Sequence, residues 1–239
     1  MLAGIIISTY VEIDFMARYD ALFLWALLIQ AVLIITKMEN PDETKVICLF
    51  HLVGTVMELY KTSEGVSAWT YPEESFFRIG NVPLFSGFMY ASVGSYLCRV
   101  WDGFQFRFKH YPDWRWTVLL SVLIYVNFFT NQFWYDFRLF LFIGVALLWG
   151  RTIIYFKSHE VHRFMSLLLG FLLVSLFIWF AENVGTFTQV WLYPDQIEGW
   201  QMVSWQKLGS WFLLMIISFV MVERVKRGKV NNNAPRDRK

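Results

Sequence analysis

Long apolar runs separated by short charged stretches restrict how this chain can fold more than any other feature. Of its 239 residues, 56% are hydrophobic and only 17% are charged, whereas about 25% is usual for soluble domains. A helix needs about 20 mostly apolar residues to cross a hydrocarbon core. Seven runs approach or meet this length, over residues 18–36, 45–61, 82–101, 115–132, 137–156, 164–182 and 206–223. We therefore predict an all-α, polytopic membrane protein, with one seven-helix bundle over 1–223 and a basic tail over 224–239.

The placement of Lys and Arg predicts how the chain is oriented. These residues concentrate on the cytoplasmic side of membrane proteins. With a cytoplasmic C-terminus, 16 of the 21 basic residues fall on that side and 5 on the other. We expect a multi-pass protein of the cell (inner) membrane, with its N-terminus outside and its C-terminus in the cytoplasm.

Several classes of site and partner find no support in the sequence. The net charge is only +2, so nothing indicates a nucleic-acid partner. Cys48 and Cys98 both fall within apolar runs, which predicts neither a disulfide nor a zinc site. Nucleotide-binding and nucleophile-elbow motifs do not occur, and we predict no metal and no cofactor. The expected partners are the lipid bilayer and a hydrophobic lipid substrate, and the oligomeric state stays undetermined.

A short element, Trp-x-Tyr-Pro followed by an acidic residue, occurs twice. "AWTYPEE" covers 68–74 and "VWLYPDQ" covers 190–196. Each copy follows a span that ends near a carboxylate, Glu58 or Glu182, and each precedes another span. Two copies of the same polarity suggest an internal repeat of two parallel units. The alternative is a pair of interfacial turns, since Trp and Tyr favour the headgroup region and Pro interrupts helices.

Glu58 is the strongest candidate for a functional residue. It lies 13 residues beyond Lys45, which places it roughly 20 Å into the membrane along a helix. A carboxylate at depth costs about 2.5–3.5 kcal/mol on insertion scales and usually marks a functional site. His51 lies seven residues earlier on the same helix face, with Thr55 between them. The alternative is a surface ion pair between Glu58 and Lys61 at i, i+3.

Other polar residues fall on the same outer side of the predicted bundle. Asn183 follows Glu182, and both suit an interfacial position. Asn81 opens "NVPL", where Asn would cap the third span and Pro would enter its first turn. "NFFTNQFWYDFR" joins the fourth and fifth spans and contains Asn131, Asp136 and Arg138. A hydrated turn with a local ion pair explains this stretch, whereas convergence with the two glutamates would make one polar pocket.

Four segments together resemble one known family. They are "RYDALFLWALLIQ", "ELYKTSEGVSAWTYPEES", "NVPLFSGFMYASVGSYL" and "YDFR", and they resemble the YoaT-type family of bacterial integral membrane proteins, a domain of unknown function. The resemblance covers nearly the whole chain. It implies a polytopic bacterial inner-membrane protein and names no substrate.

A shorter stretch is similar to the membrane carotenoid hydratases and the small lycopene cyclases. It has Glu58 at a span end, Gly65 and Tyr71 in the following loop, and Val82-Pro83-Leu84 at the next span. Such enzymes protonate a polyene double bond and then add water or cyclise. The resemblance implies acid catalysis on a prenyl or carotenoid-like lipid by a carboxylate within the membrane.

Three hypotheses for function stay open on these residues. In the first, an enzyme uses Glu58 as proton donor, with His51 tuning it and Glu182 as a second catalytic carboxylate. In the second, a small transporter or channel uses the two glutamates as proton or cation sites. In the third, the protein is structural and catalyses nothing. The predicted substrate-binding residues are Trp69, Tyr71, Asn81, Asn131, Asp136, Arg138, Asn183, Trp191 and Tyr193.

Overall fold

A computed structural model describes residues 1–11, 14–158 and 160–233. Eight α-helices account for most of this part of the chain. They are α1 (Leu2–Tyr10), α2 (Arg18–Ile35), α3 (Pro41–Lys61), α4 (Phe85–Phe104), α5 (Trp114–Thr130), α6 (Arg138–Trp149), α7 (Leu167–Phe187) and α8 (Trp205–Asn233). Helix α8 continues past residue 223, where the basic tail was predicted to begin, and residues 234–239 of that tail lie outside the described residues. The predicted, mainly helical architecture is confirmed.

Each of the seven predicted spans overlaps one of the helices α2 to α8. Within the described residues, three segments are long and apolar enough to cross a membrane: Arg18–Ile35, Leu167–Phe187 and Trp205–Lys226. Helices α5 and α6 are apolar but shorter. Large apolar side chains also face outward, including Leu147 (81% exposed) and Phe140 (67% exposed) on α6. Extended exposed apolar surface marks contact with a membrane or partner, so membrane association is supported while seven crossings stay a prediction.

The chain also contains strands, which the all-α prediction missed. β3 (Arg107–Lys109), β4 (Ile153–Ser158) and β5 (Val161–Ser166) form an antiparallel sheet in the order β3-β4-β5. The fifth span was predicted to reach residue 156, but α6 ends at Trp149 and β4 follows. The sequence of β4, "IIYFKS", is rich in β-branched and aromatic residues, which favour strands. Hydropathy alone does not separate such a run from a helix.

A second, shorter pair of strands precedes α4. β1 (Arg78–Ile79) and β2 (Val82–Pro83) pair antiparallel across a turn. Gly80 occupies that turn at φ +55°, a conformation that glycine adopts without steric cost. Helix α4 therefore begins at Phe85, later than the residue 82 expected for the third span.

Helix starts follow ordinary capping chemistry where the sequence provides it. Asn40 caps α3 by accepting hydrogen bonds from the backbone N–H groups of Asp42 and Glu43, and Glu43 returns a contact to Asn40. Pro41 occupies the first helical position, where its missing N–H is not needed. Asp113 caps α5 in the same way. These caps fix where two of the cavity-forming helices begin.

The buried apolar residues form two clusters. One packs α4, α5, α6, α7 and α8 against the three-stranded sheet around Trp149, Phe171 and Ile216. The other lies beneath the two Trp-x-Tyr-Pro loops and includes Tyr19, Phe85 and Trp179. The loops are thus part of a packed core rather than a surface covering.

A buried cation joins three helices at the end of the bundle opposite the two loops. Lys226 of α8 donates hydrogen bonds of 2.6 Å to Glu43 of α3 and 2.6 Å to Asp102 of α4. The side chains of Lys226 and Glu43 are 8% and 7% exposed, whereas that of Asp102 is 55% exposed. Removing one partner of a buried ion pair leaves the other charge uncompensated.

Replacing this cation should destabilise the fold. We expect Lys226→Met to lower the free energy of unfolding by about 1–3 kcal/mol, less than the usual 3–5 kcal/mol because Asp102 is partly solvated. The midpoint of thermal unfolding in detergent measures the effect, and about 2–4 °C per kcal/mol is usual for a chain of this size. Lys45→Met is the control, because Lys45 is 79% exposed. Equal midpoints for the two variants would contradict the role of Lys226.

Candidate functional site

The two Trp-x-Tyr-Pro loops pair directly with each other. Thr70 and Leu192, the x positions of the two copies, exchange backbone hydrogen bonds of 2.9 Å in both directions and form an antiparallel bridge. The residues on either side of each x position are the Trp and Tyr of the motif. Because the bridge is antiparallel, the Trp of each copy lies opposite the Tyr of the other, as the ring contact between Trp69 and Tyr193 shows.

Helix α2 holds the first loop in place from one side. Asp20 accepts hydrogen bonds from the backbone N–H groups of Phe76 (2.9 Å) and Phe77 (2.8 Å). Arg18 forms an ion pair with Glu73 at 2.9 Å. The Tyr19 hydroxyl donates to the carbonyl of Val190 in the second loop. One turn of helix thus positions both loops.

Glu58 is buried and accepts three hydrogen bonds from aromatic side chains. Only 2% of the residue is exposed to solvent. Trp69 Nε1 and the Tyr71 hydroxyl both donate to Oε2 at 2.8 Å, and the Tyr90 hydroxyl donates to Oε1 at 2.7 Å. Two donors come from the loop and the third from α4. The structure contains no ion pair between Glu58 and Lys61, so that alternative is wrong.

Glu182 has a similar environment. It is 3% exposed, and it accepts hydrogen bonds from the Tyr193 hydroxyl and from Trp211 Nε1, the second at 2.5 Å. Tyr193 is the tyrosine of the second loop, as Tyr71 is of the first. Each carboxylate therefore takes at least one donor from its own loop and one from the helix that follows that loop.

The loop tyrosines act as donors because they stay protonated. Burial raises the pKa of the Tyr71 phenol well above its usual value, and the charge of Glu58 adds to the effect. Burial likewise raises the pKa of Tyr193, with Glu182 adding to it. A phenol that keeps its proton can donate to a carboxylate over the whole physiological range of pH.

The second loop differs from the first in the position of its tryptophan. Trp69 donates to Glu58, whereas Trp191 packs against Gly185 of α7. A Cβ atom at Gly185 would lie 2.0 Å from Cη2 of Trp191, so the close approach of indole and helix requires glycine here. Trp211 of α8 supplies the indole N–H that Trp191 does not give to Glu182.

Lys207 of α8 lies between the two carboxylate clusters. Its Nζ is 3.9 Å from the ring centroid of Tyr193 and 5.5 Å from that of Trp69. The two rings meet edge to face with 6.2 Å between centroids. An ammonium over aromatic faces is attracted by their electron density. Glu58 and Glu182 also attract Lys207, although neither forms an ion pair with it.

Both glutamates line one cavity of about 850 Å³. Helices α3, α4, α5, α7 and α8 and the two loops contribute to its wall. One part is apolar and includes Ile124, Phe128, Leu173, Phe177 and Leu214. The other part is polar and carries the carboxylates together with Lys61, Asn131, Asp136, Arg138 and Lys207. The volume is within the usual range of about 300–1,000 Å³ for small-molecule sites.

The turn between α5 and α6 supplies the polar rim of the cavity. Lys61 Nζ donates to Asn131 Oδ1 at 3.2 Å. Arg138 pairs with Asp136 at 2.6 Å and also donates to Ser210 of α8 at 3.3 Å. Burial would raise the pKa of Asp136, but the hydrogen bonds from Arg138 outweigh it and hold that pKa below its usual value. Asp136 is therefore an anion whose charge Arg138 already compensates.

Nine of the twelve predicted site residues line this cavity. They are Glu58, Trp69, Tyr71, Asn131, Asp136, Arg138, Glu182, Trp191 and Tyr193. His51 does not, and it packs against the ring of Phe88 with 4.6 Å between centroids. The three side chains that hydrogen-bond Glu58 do not include His51, so no direct contact supports a tuning role.

The two remaining asparagines have structural contacts instead. Asn81 lies in the turn between β1 and β2 and donates to the carbonyl of Thr62 at 3.2 Å. The N-cap of α4 is Leu84, so the predicted cap at Asn81 is wrong. Asn183 donates to the carbonyl of Trp179 and accepts from the backbone N–H of Val203. It thereby ties the second loop to α7.

Sequence reasoning missed Tyr90, Lys207 and Trp211. Tyr90 and Trp211 lie in the second turn of the helix that follows each loop, so an aromatic donor at this position was a detectable parallel between the two regions. Lys207 was counted only as a topology signal. A lysine within the apolar segment "WQKLGSWFLLM" is energetically unfavourable in a membrane-spanning helix. By the argument used for Glu58, Lys207 was therefore also a candidate functional residue.

Comparison with known proteins identifies the family. The model of the family described as "Protein of unknown function (DUF817)" matches residues 1–219. The uncharacterized protein YoaT of Bacillus subtilis (strain 168) is 40% identical over 227 residues, which is 95% of this chain and 85% of that protein. No solved structure matches the chain. The chain belongs to the DUF817 family, and the predicted resemblance to YoaT-type proteins is confirmed.

The pairing of the two loops can be tested by cross-linking. With Cys48 and Cys98 replaced by serine, we expect T70C/L192C to form a disulfide on mild oxidation. Residues in a hydrogen-bonded antiparallel pair have Cα atoms about 5.5 Å apart, within the range of about 4.4–6.8 Å that disulfides need. Protease cleavage between the loops followed by non-reducing electrophoresis reveals the link. T70C/I197C is the control pair, and equal cross-linking in both would argue against the pairing.

Proposed function

We propose that this DUF817 protein is a multi-pass protein of the bacterial cell (inner) membrane, N-terminus outside and C-terminus cytoplasmic, whose cavity binds a lipid-like molecule beside Glu58 and Glu182. One observation carries the proposal: two buried carboxylates share a largely apolar cavity bounded by helices that can cross a membrane. A hydrophobic ligand with a reactive or polar part suits such a site. A buried ionisable residue within a membrane is a functional-site hypothesis by default.

The wall formed by α7 gives the ligand a route from the bilayer. Leu173 and Phe177 line the cavity, yet they are 51% and 65% exposed. Their helix is one of the three segments able to cross a membrane. A molecule dissolved in the hydrocarbon would therefore meet the cavity from the side and need not pass through water.

The proposed reaction is acid-catalysed hydration or cyclisation of a prenyl or carotenoid-like lipid. A protonated Glu58 gives its proton to one carbon of a C=C bond, which leaves a carbocation on the other carbon. Water adds to that carbon and then loses a proton, or a second double bond adds to it and an adjacent C–H proton is lost. Either way the carboxyl group regains a proton from the surroundings. Glu182 is the second carboxylate of the site.

The aromatic residues of the loops support this chemistry. The faces of Trp69 and Tyr193 already surround the ammonium of Lys207, which indicates that they stabilise positive charge. A carbocation that develops beside them would gain from the same electron-rich faces. The three donors fix the orientation of the Glu58 carboxyl group within the cavity.

A proton-coupled transporter is the second candidate, favoured by one further observation. Lys207 lies between two carboxylates on different helices, Glu58 of α3 and Glu182 of α7. In such an arrangement protons or cations can exchange among charged groups. The bridge between Thr70 and Leu192 joins equivalent positions of the two loops, which supports an internal two-fold repeat of the kind common in transporters. A structural protein without chemistry of its own would have no use for such a cluster.

Substituting the two carboxylates separates these functions. We expect Glu58→Gln to reduce the yield of a modified lipid by about 100-fold or more, because general acids contribute about 10²–10⁴-fold to rates. The measurement is comparative lipid mass spectrometry of a bacterial host that makes prenyl lipids and carotenoids, with the variants at matched abundance. Glu182→Gln is measured in parallel.

Glu39→Gln is the matched control for this experiment. Glu39 is also buried and accepts hydrogen bonds from Gln30 and Ser95, but it does not line the cavity. Lipid extracts that are unchanged between wild type and empty host would exclude the enzyme for those lipids. A proton flux in vesicles that Glu58→Gln and Glu182→Gln abolish, and Glu39→Gln spares, would then establish the transporter.

A further inference from the structure

We propose that Lys61, Arg138 and Lys207 form a binding site for an acidic oxygen group, a carboxylate or a phosphate, at the polar end of the cavity. The ligand would then be an amphiphile with an anionic head and an apolar tail. The tail rests on the proposed function, because it needs the apolar part of the same cavity. The inference that the head group is anionic is independent of the proposed function.

Three separate elements bring these cations to one place. Lys61 ends α3 and reaches Asn131 at the end of α5. Arg138 begins α6 and reaches Ser210 of α8, which lies one helical turn beyond Lys207. The charges are close enough for Lys207 and Arg138 to repel Lys61. An anion placed among them would relieve this repulsion.

The two lysines have hydrogen-bond donors to spare. An ammonium group has three donors and no acceptor. Lys61 uses one on Asn131 and otherwise faces the ring of Phe128, at 4.7 Å from its centroid. Lys207 faces the rings of Tyr193 and Trp69. Within the part of the chain that the structure describes, no carboxylate forms an ion pair with either lysine.

The carboxylates nearby are engaged elsewhere. Glu58 accepts from three aromatic donors and Glu182 from two. Asp136 is paired with Arg138. Glu58, Glu182 and Asp195 attract Lys207 only from beyond ion-pair distance. Because a charge removed from water is costly without a partner, a ligand oxygen is the partner that the two lysines lack.

The apolar part of the cavity adjoins this basic patch. Phe128 contacts the Lys61 ammonium and also lines the cavity beside Ile124. Leu214 of α8 lies one turn beyond Ser210 and also lines the cavity. A head group held by the lysines would leave its chain along this wall, toward the exposed face of Phe177. The geometry therefore fits a single-chain acidic lipid better than a small soluble ion.

Ligand binding to the purified full chain in detergent tests the site. The probes are oleate and oleoyl lysophosphatidic acid as single-chain acidic amphiphiles, oleyl alcohol as a neutral one, and inorganic phosphate as a free anion. We expect wild type to bind the acidic amphiphiles roughly tenfold more tightly than oleyl alcohol, since charge-assisted hydrogen bonds are the strong ones. K61Q/K207Q should lose this preference, whereas the exposed control Lys45→Gln should keep it.

Each outcome decides the question. Equal binding of oleate and oleyl alcohol by wild type would overturn the anion site and leave the lipid cavity standing. Binding of phosphate together with a failure of all amphiphiles would support the anion site and remove the lipid. A failure of all four probes would remove both. If K61Q/K207Q does not fold, the single variant Lys207→Gln and the comparison of oleate with oleyl alcohol on wild type still give the answer.

Discussion

A carboxylate removed from water must find hydrogen-bond donors inside the protein, and Glu58 and Glu182 find theirs among tryptophans and tyrosines. These side chains suit the task because each combines a large apolar body with one polar atom. Meeting the need of two such carboxylates requires both loops to fold inward. It also requires α4 and α8 to present Tyr90 and Trp211 at matching heights. Much of the end of the bundle that carries the two loops depends on these five hydrogen bonds.

The positions of the cavity lysines, Lys61 and Lys207, depend on how the two carboxylates are hydrogen-bonded. With their oxygens engaged by aromatic donors, Glu58 and Glu182 do not pair with the lysines of the cavity. The Lys207 ammonium packs against the rings of Tyr193 and Trp69, and Lys61 donates a hydrogen bond to the side-chain oxygen of Asn131. The result is a site in which the two glutamates and the two lysines lie near each other without forming ion pairs. Such a site keeps both acceptors and donors available to a ligand, which a closed set of ion pairs would not.

The fold could be predicted from sequence to the extent that apolar length decides it. All seven apolar runs contain helices, because hydrophobic runs of that length have few other stable structures. The sheet β3-β4-β5 was missed because "IIYFKS" and "GFQFRFKHY" are as apolar as helix ends, and because β3 and β4 pair across a stretch of chain that includes α5 and α6. The end of α6 at Trp149 was missed for the same reason. Pairing between strands is a tertiary property that local hydropathy does not contain.

The candidate site, like the fold, was predicted only in part from the sequence. Repetition of Trp-x-Tyr-Pro and two carboxylates at span ends predicted the buried glutamates and the loop aromatics of the cavity from sequence alone. His51 was included because it shares a helix face with Glu58, but sharing a face does not decide which neighbour fills the space, and Phe88 does so here. Lys207 was missed because its importance arises only when the start of α8 packs against both loops, a contact that no local pattern contains. Trp211 matters through its hydrogen bond to Glu182 of α7, and only its parallel with Tyr90 could have indicated it.

The bridge between Thr70 and Leu192 has a consequence for how the molecule is made. Its two halves are about 120 residues apart, and a ribosome delivers them in order. While α7 is still being synthesised, Glu58 can already hold the donors of its own loop and of α4. Lys207, Trp211 and the second loop arrive only with the last helix. The cavity of the nascent chain is therefore incomplete until synthesis is almost finished. Until then, only the first loop and α4 supply hydrogen-bond donors to Glu58.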